Sequence, residues 1–425
     1  MADYLGIDVG TSFIKAAWFD LETLSIRRTE RIAFPDFLPG LPPGHREVDP
    51  AAVLIAVDDL LQRAGPARPA GLALCGQMHG FVLLDGRGVA VSNYVSWLDQ
   101  RVNAAEFEEF ARRINAGERN AVGNEIRPGI ALPLLDWMKR NGKLPQGATP
   151  VSIADFVAAR LCGSLPAMDP TQAASFGALH LASLSWHREL IGKLGLDSLN
   201  WPRVLPSGSA IGTWRDAPCY AAVGDQQCAL AGALLKEHEL SVNIGTGSQV
   251  AQITDNPSWG ELQIRPYFNG RFLRTITHIP GGRALSALLG LLSELGEVPE
   301  ERAWTRVEAA VASVCATDVR AGVAFYPGPC GDGGFLENLR EANMSVGHVF
   351  RAALESMASN YRACASRLDP DRSASSIVFS GGVARRLEIL RQLTAAKLGL
   401  PWRLSPHPED TLFGLMVLER EWTAR

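Results

Sequence analysis

Two stretches of this chain share one layout, and that repetition limits the fold more than any other feature. Residues 4–20, Tyr-Leu-Gly-Ile-Asp-Val-Gly-Thr-Ser-Phe-Ile-Lys-Ala-Ala-Trp-Phe-Asp, set two short apolar runs around a Gly-Thr-Ser turn, the pattern of a β-hairpin. Residues 240–255, Leu-Ser-Val-Asn-Ile-Gly-Thr-Gly-Ser-Gln-Val-Ala-Gln-Ile-Thr-Asp, do the same. Laid over each other, they pair Asp8 with Asn243, Gly10 with Gly245 and Thr11 with Thr246, an offset of somewhat more than half the chain. Either the chain consists of two similar halves, or two unrelated hairpins share frequent turn residues. With 425 residues the chain exceeds one ordinary core, so two or more domains of roughly 100–200 residues are expected.

Strand-like and helical stretches alternate around these hairpins. Gly71–Cys75, Gly80–Leu84 and Ser376–Ser380 read as strands. Val346, Phe350, Ala353, Leu354, Met357 and Tyr361 recur at spacings of three and four, one apolar helical stripe over 346–368. A further helix is expected from Ala384 to Leu398, stopped by Gly399. Alternation of this kind implies an α/β architecture. The second hairpin places a boundary within Ala217–Val223, giving domains of 1–220 and 221–425.

The excluded classes follow from charge and cysteine usage. Lys+Arg total 41 against Asp+Glu 45, with no block of one sign, so neither nucleic-acid binding nor a membrane-surface role has electrostatic support. The apolar run Ala284–Leu292 is far shorter than the ~18–20 residues of a membrane span. Seven scattered cysteines without a C-x-x-C pair read as reduced thiols, and the N-terminus lacks a signal-peptide pattern, so a cytoplasmic enzyme is expected.

Chemistry-bearing residues gather at four glycine-bearing places. In Asp8-Val9-Gly10-Thr11-Ser12, small turn residues let backbone N–H groups approach a polyphosphate, and the preceding carboxylate suits hydrated Mg²⁺. Gly245-Thr246-Gly247-Ser248 offers the same kind of cradle, and two such turns in equivalent positions suggest opposite walls of one phosphate site. Asp225, after Val223-Gly224 and before a run of small residues, is either a general base for a hydroxyl or the N-cap of the next helix. Gly381-Gly382, at the end of a strand and opening a helix, permits close approach of a ligand but is also an ordinary connection.

In their order along the chain, these segments and three others resemble the FGGY carbohydrate kinases: Asp8–Ser12, Cys75-Gly76-Gln77-Met78-His79-Gly80, Trp97-Leu98-Asp99-Gln100-Arg101, Gly224–Gln227, Gly245–Gly247 and Ser380–Arg385. The resemblance runs from about residue 4 to Gly414. It implies two actin-like (ribonuclease H-like) α/β domains with a cleft between them, ATP and Mg²⁺ as cofactors, and a sugar or polyol hydroxyl as acceptor. It assigns the catalytic base to Asp225, the Mg²⁺-linked acid to Asp8, the phosphate loops to Gly10, Thr11, Ser12 and to Gly245, Thr246, Gly247, and the adenosine wall to Gly381 and Gly382. Gln77, Met78, His79, Trp97 and Asp99 would line the sugar pocket; His79 serves equally well as a brace for its corner, Trp97 could be core, and Arg101 is expected to pair with an acid.

Three stretches, Asp169–Gly177, Arg265–Arg271 and Gly281–Leu285, are similar to those of sedoheptulokinases, with xylulose and ribulose kinases close behind. The expected partner is a small ketose, with no nucleic acid and no membrane, and a homodimer is left open. Two departures weaken the assignment of the sugar. A lysine usual after the proline is absent in Pro133-Leu134-Leu135-Asp136-Trp137, and Gly328–Phe335 is a short version of a longer family loop.

Overall fold

The computed structural model describes residues 3–65, 67–255, 260–294, 300–325 and 328–424, apart from the side chains of 293 and 300. It divides into two compact units. The first comprises Met1–Leu234, Asp255–Phe272 and Glu409–Arg425; the second comprises Leu235–Thr254 and Leu273–Pro408. The boundary expected at 220/221 therefore falls inside the first unit, which keeps Asp225 and recovers the C-terminal helix Asp410–Thr423. Close packing of helix Asp225–Gly232 on that helix is the physical reason. A Cβ at Gly232 would collide with the Asp410 carbonyl, and one at Gly414 with the Cys228 carbonyl, so the two backbones touch only because both positions are glycine.

In the first unit, strand Asp3–Val9 pairs antiparallel with Phe13–Asp20, which pairs with Ser25–Ala33. On its other side it runs parallel to Leu72–Gly76, followed by Ala217–Tyr220. The second unit repeats this plan. Strand Glu239–Ile244 pairs antiparallel with Gly247–Thr254, flanked by Phe272–Pro280, and on the other side runs parallel to Ser376–Ser380 and then Trp402–Leu404. Corresponding residues hold corresponding partners: Asp8 lies opposite Cys75 and Asn243 opposite Ser380. Two unrelated hairpins would not bring the same neighbours, so the duplication is real.

The central strands Asp3–Val9 and Glu239–Ile244 are buried almost throughout, as strands covered on both faces are, even though Glu-Leu-Ser-Val-Asn-Ile alternates polar and apolar residues. Leu5, Ile7, Val9, Leu72 and Leu74 are fully buried in one core that includes helix Pro50–Ala64. A second core of the first unit, around Phe110, Leu135, Phe176 and Trp186, lies outside the sheet. In the second unit the expected stripe is helix Val346–Leu368, with Phe350, Ala353, Met357 and Tyr361 inside. Each of its larger apolar side chains contributes about 1.5–3 kcal/mol by leaving water. The helix expected over 384–398 is split into Gly382–Arg386 and Glu388–Leu398, and Gly399 ends it in the left-handed region, φ 69°.

Candidate active site

Strand register explains why residues more than two hundred positions apart meet. Asp8 and Val9 lie beside Cys75 and Gly76, and Cys75 and Gly76 lie beside Val223 and Gly224, all in parallel. The carboxyl ends of three strands thus deliver Gly10, Gln77 and Asp225 to one edge of the sheet, the edge where open α/β sheets bind ligands.

Asp225 is the first residue of helix Asp225–Gly232, and Gly224 occupies the cap without a side-chain bond. The N-cap alternative therefore fails. Its Oδ1 accepts from the Gln226 N–H at 2.8 Å. Burial and then the charge of Asp8 push its carboxyl up to about 7. Burial also raises Asp8, against a hydrogen bond of 2.7 Å from Thr411 Oγ1 to its Oδ2. Asp8 Oδ1 is buried with no hydrogen-bond partner, as suits a group awaiting a cation or its water. Among the described residues no group of three or more His, Cys, Asp or Glu could hold a metal by itself. Mg²⁺ keeps several waters and needs only one or two carboxylates beside the phosphates, so Asp8 fits that ion.

The loop after Asp8 is exposed at Thr11 and Ser12 and gripped from behind. Gln77 Nε2 donates to the Gly10 carbonyl at 3.3 Å, and Trp97 Nε1 donates to Thr11 Oγ1 at 3.1 Å. Gln77 and Trp97 thus order the loop. Met78 packs on Gly224, where a Cβ would lie 3.0 Å from its sulfur. Asp99 requires a correction as a sugar contact. Its Oδ1 accepts from Arg101 N and Nε, its Oδ2 from Arg46 N and Arg101 Nη2, and its side chain is fully buried. It braces the turn that carries Trp97, and Arg101 pairs with Asp99 and Glu47, as expected of an arginine facing acids.

His79 sits at φ 75°, a strained position fixed by Ser175. Ser175 Oγ accepts from the His79 N–H at 3.1 Å, and the Ser175 carbonyl lies 3.0 Å from Nδ1. A carbonyl only accepts, so Nδ1 carries the proton. Burial pushes the imidazole down to about 3, despite the opposing pull of Glu125, so the ring is neutral and Nε2 is an acceptor. Glu125 Oε1 is 3.7 Å from that nitrogen. Burial would raise Glu125, yet Arg265 and Arg127 hold it at about 2. Arg265 donates to it twice, at 2.7 and 3.0 Å, and also binds Gln226, the neighbour of Asp225. Glu125 and Arg127 escaped sequence reasoning because Asn-Glu-Ile-Arg has no motif; Arg265 stood in a noted stretch without a role.

The second unit builds its own glycine hairpin. The Gly245 N–H bonds the Gly247 carbonyl at 3.0 Å, closing the hairpin, with Thr246 and Gly247 exposed at its tip. The Gly245 carbonyl accepts from Gly282 N at 2.8 Å, docking the N-terminus of helix Gly282–Ser293 against the hairpin. Gly281 and Gly282 are further members that the sequence presented only as a family-like stretch. Gly381, at φ 88°, comes so close that a Cβ would lie 2.5 Å from the Ile244 carbonyl, while Gly382 faces open space. The N–H groups of Gly245, Gly282 and Arg283 are all used inside this arrangement, which leaves the exposed tip, Thr246 and Gly247, open to solvent.

Two α/β units of one topology, each ending its central strands in a glycine hairpin, define a duplicated actin-like protein. Residues 3–233 match the N-terminal domain and residues 306–419 the C-terminal domain of the FGGY family of carbohydrate kinases. The chain belongs to that family. It is similar to the xylulose kinase of Staphylococcus xylosus, at 23% identity over 63% of this chain and 59% of that enzyme's length. Its fold matches the ligand-bound xylulose kinase of Lactobacillus acidophilus, with TM-score 0.85, 19% identity, and coverage of 100% of this chain and 90% of that one. It also matches Plasmodium falciparum glycerol kinase with ADP, at TM-score 0.84, 18% identity, and coverage of 100% and 90%. No described helix is long and apolar enough to cross a membrane.

Proposed function

We propose that this protein is a cytoplasmic, ATP-dependent carbohydrate kinase that transfers the γ-phosphoryl group to the terminal hydroxyl of a ketose, with sedoheptulose as the preferred acceptor. One observation carries the reading. Asp225 is a rigid carboxylate at the strand ends beside Asp8, with its pKa raised to about 7, where a general base works best near neutral pH. Family membership supports phosphoryl transfer, and the ADP named with the Plasmodium neighbour supports a nucleotide donor.

Asp225 accepts the hydroxyl proton as the new O–P bond forms and the bond between the γ-phosphorus and the β,γ-bridging oxygen breaks, with ADP leaving. Asp8 would hold Mg²⁺ through its free Oδ1 and water, and the bound ion would offset phosphate charge. The N–H groups of Gly10 and Gly245 close their own turns, so in each unit the exposed tip, Thr11 and Ser12 in the first and Thr246 and Gly247 in the second, is what offers N–H groups to phosphate oxygens, while the open space at Gly382 suits the adenosine. His79 Nε2 accepts from a sugar hydroxyl, and Met78 and Trp97 present apolar surface to the carbon chain.

The seven-carbon ketose rests on the Asp169–Gly177, Arg265–Arg271 and Gly281–Leu285 stretches. Xylulose is the second reading, favoured by the Staphylococcus relative. A panel of D-sedoheptulose, D-xylulose, D-ribulose, L-xylulose and glycerol with MgATP, scored by kcat/KM through coupled ADP release, ranks them. The highest value on D-xylulose would replace the sedoheptulose assignment. Binding of a sugar without ADP release would make the protein a sensor.

A further inference from the structure

The short helix Pro170–Ala174 and the residue that ends it, Ser175, touch both halves of the acceptor chemistry through completely buried polar side chains. Thr171 Oγ1 accepts from the Gly224 N–H at 2.8 Å while donating to Asp169 Oδ1 at 2.6 Å. Gly224 is the residue before Asp225. Gln172 Nε2 donates to the Gly76 carbonyl at 3.0 Å and the Val223 carbonyl at 3.2 Å. Those carbonyls sit on adjacent parallel strands, just before Gln77 on one and Gly224-Asp225 on the other. Ser175 Oγ accepts from the His79 N–H and donates to the Gln172 carbonyl at 2.7 Å.

We infer that Thr171, Gln172 and Ser175 are positioning residues that set the catalytic base and the sugar-facing histidine in register with each other. The strands alone do not achieve this. Val223–Gly224 pairs over only two residues, and His79 holds a backbone conformation that non-glycine residues seldom adopt. Each of the three side chains spans a gap that secondary structure leaves open, and each has its own target: Thr171 the base, Ser175 the histidine, Gln172 both. The inference rests on the kinase reading for its catalytic meaning, whereas the division of labour can be tested without activity.

Hydrogen exchange on the intact protein provides that test. Thr171→Val should speed exchange at Val223–Gln226 by tenfold or more and leave His79 unchanged; Ser175→Ala should do the reverse, and Thr171→Ser should restore the wild-type rate. In kinetics, Thr171→Val should lower kcat about 10- to 100-fold with sugar KM within about threefold, because a misplacement of the order of 1 Å can cost 10² in rate. Ser175→Ala should raise sugar KM about tenfold with kcat little changed, and Gln172→Met should affect both. A merely structural role would lower the thermal midpoint without splitting the two parameters. Equal exchange at both segments in both variants, or wild-type kcat and KM in both, overturns the inference. Exchange that splits in a protein inactive on every sugar leaves the positioning intact and overturns the kinase reading.

Discussion

Replacing Asp225 by Asn tests the base and the electrostatics of the site together. The substitution keeps the shape and the acceptor for the Gln226 N–H, and removes the proton acceptor. General-base catalysis contributes about 10²–10⁴-fold, so kcat should fall by that factor, equivalent to about 3–5.5 kcal/mol of barrier. Stability should move the other way. The carboxyl rises from 3.8 to about 7 on folding, so the folded protein binds the proton more tightly and stability falls as pH climbs between those values. Three units correspond to at most about 4 kcal/mol, and because Asp225 as a residue is half-buried rather than buried, the expectation is set at roughly 2. The variant should therefore gain about 2 kcal/mol on wild type between pH 4 and pH 8 in metal- and nucleotide-free urea unfolding, while losing nearly all ADP release at saturating sugar. Turnover within tenfold of wild type would refute the base. A variant whose stability follows pH as wild type does would refute the claim that burial and Asp8 set its proton affinity.

Three further outcomes follow from the site. His79→Asn, which tolerates positive φ, should flatten the acid limb of stability: wild type, whose imidazole drops to about 3 on folding, should lose about 2 kcal/mol more than the variant between pH 6.5 and pH 5, measured by urea unfolding. Gly381→Ala adds a methyl 2.5 Å from the Ile244 carbonyl at φ 88°, so it should cost about 2 kcal/mol, lower the thermal midpoint by roughly 4–8 °C and weaken calorimetric MgADP affinity at least tenfold. Arg265→Met should destabilise by about 3–5 kcal/mol in denaturant unfolding, because Glu125 stays buried with less compensation, and adding Glu125→Gln should recover part of that loss.

Much of the architecture was legible because it is written in local periodicity. The stripe from Val346 to Tyr361 produced helix Val346–Leu368, and the two hairpins were found where the apolar runs turned on Gly-Thr. The boundary was not legible, because the close contact that keeps helix Asp225–Gly232 with Asp410–Thr423 depends on two glycines far apart in the chain. Asp99 was misplaced for a similar reason. Its neighbour Trp97 does reach the loop, but the arginine that claims the carboxylate could be assigned only once Glu47 and Asp99 were seen around it.

By itself, then, the sequence determined the repeated hairpin pattern, the alternation of strands and helices and the glycine turns, since each is carried by residues near one another in the chain, whereas the matching strand partners decided between duplication and coincidence. Tertiary structure alone decided which side chains share a wall. Glu125 meets Arg265 across 140 positions, and Ser175 holds His79 across 96. Such pairings leave no trace in spacing, because each joins a loop or helix-end residue to a segment far away in the chain, and only the packed fold brings the two together.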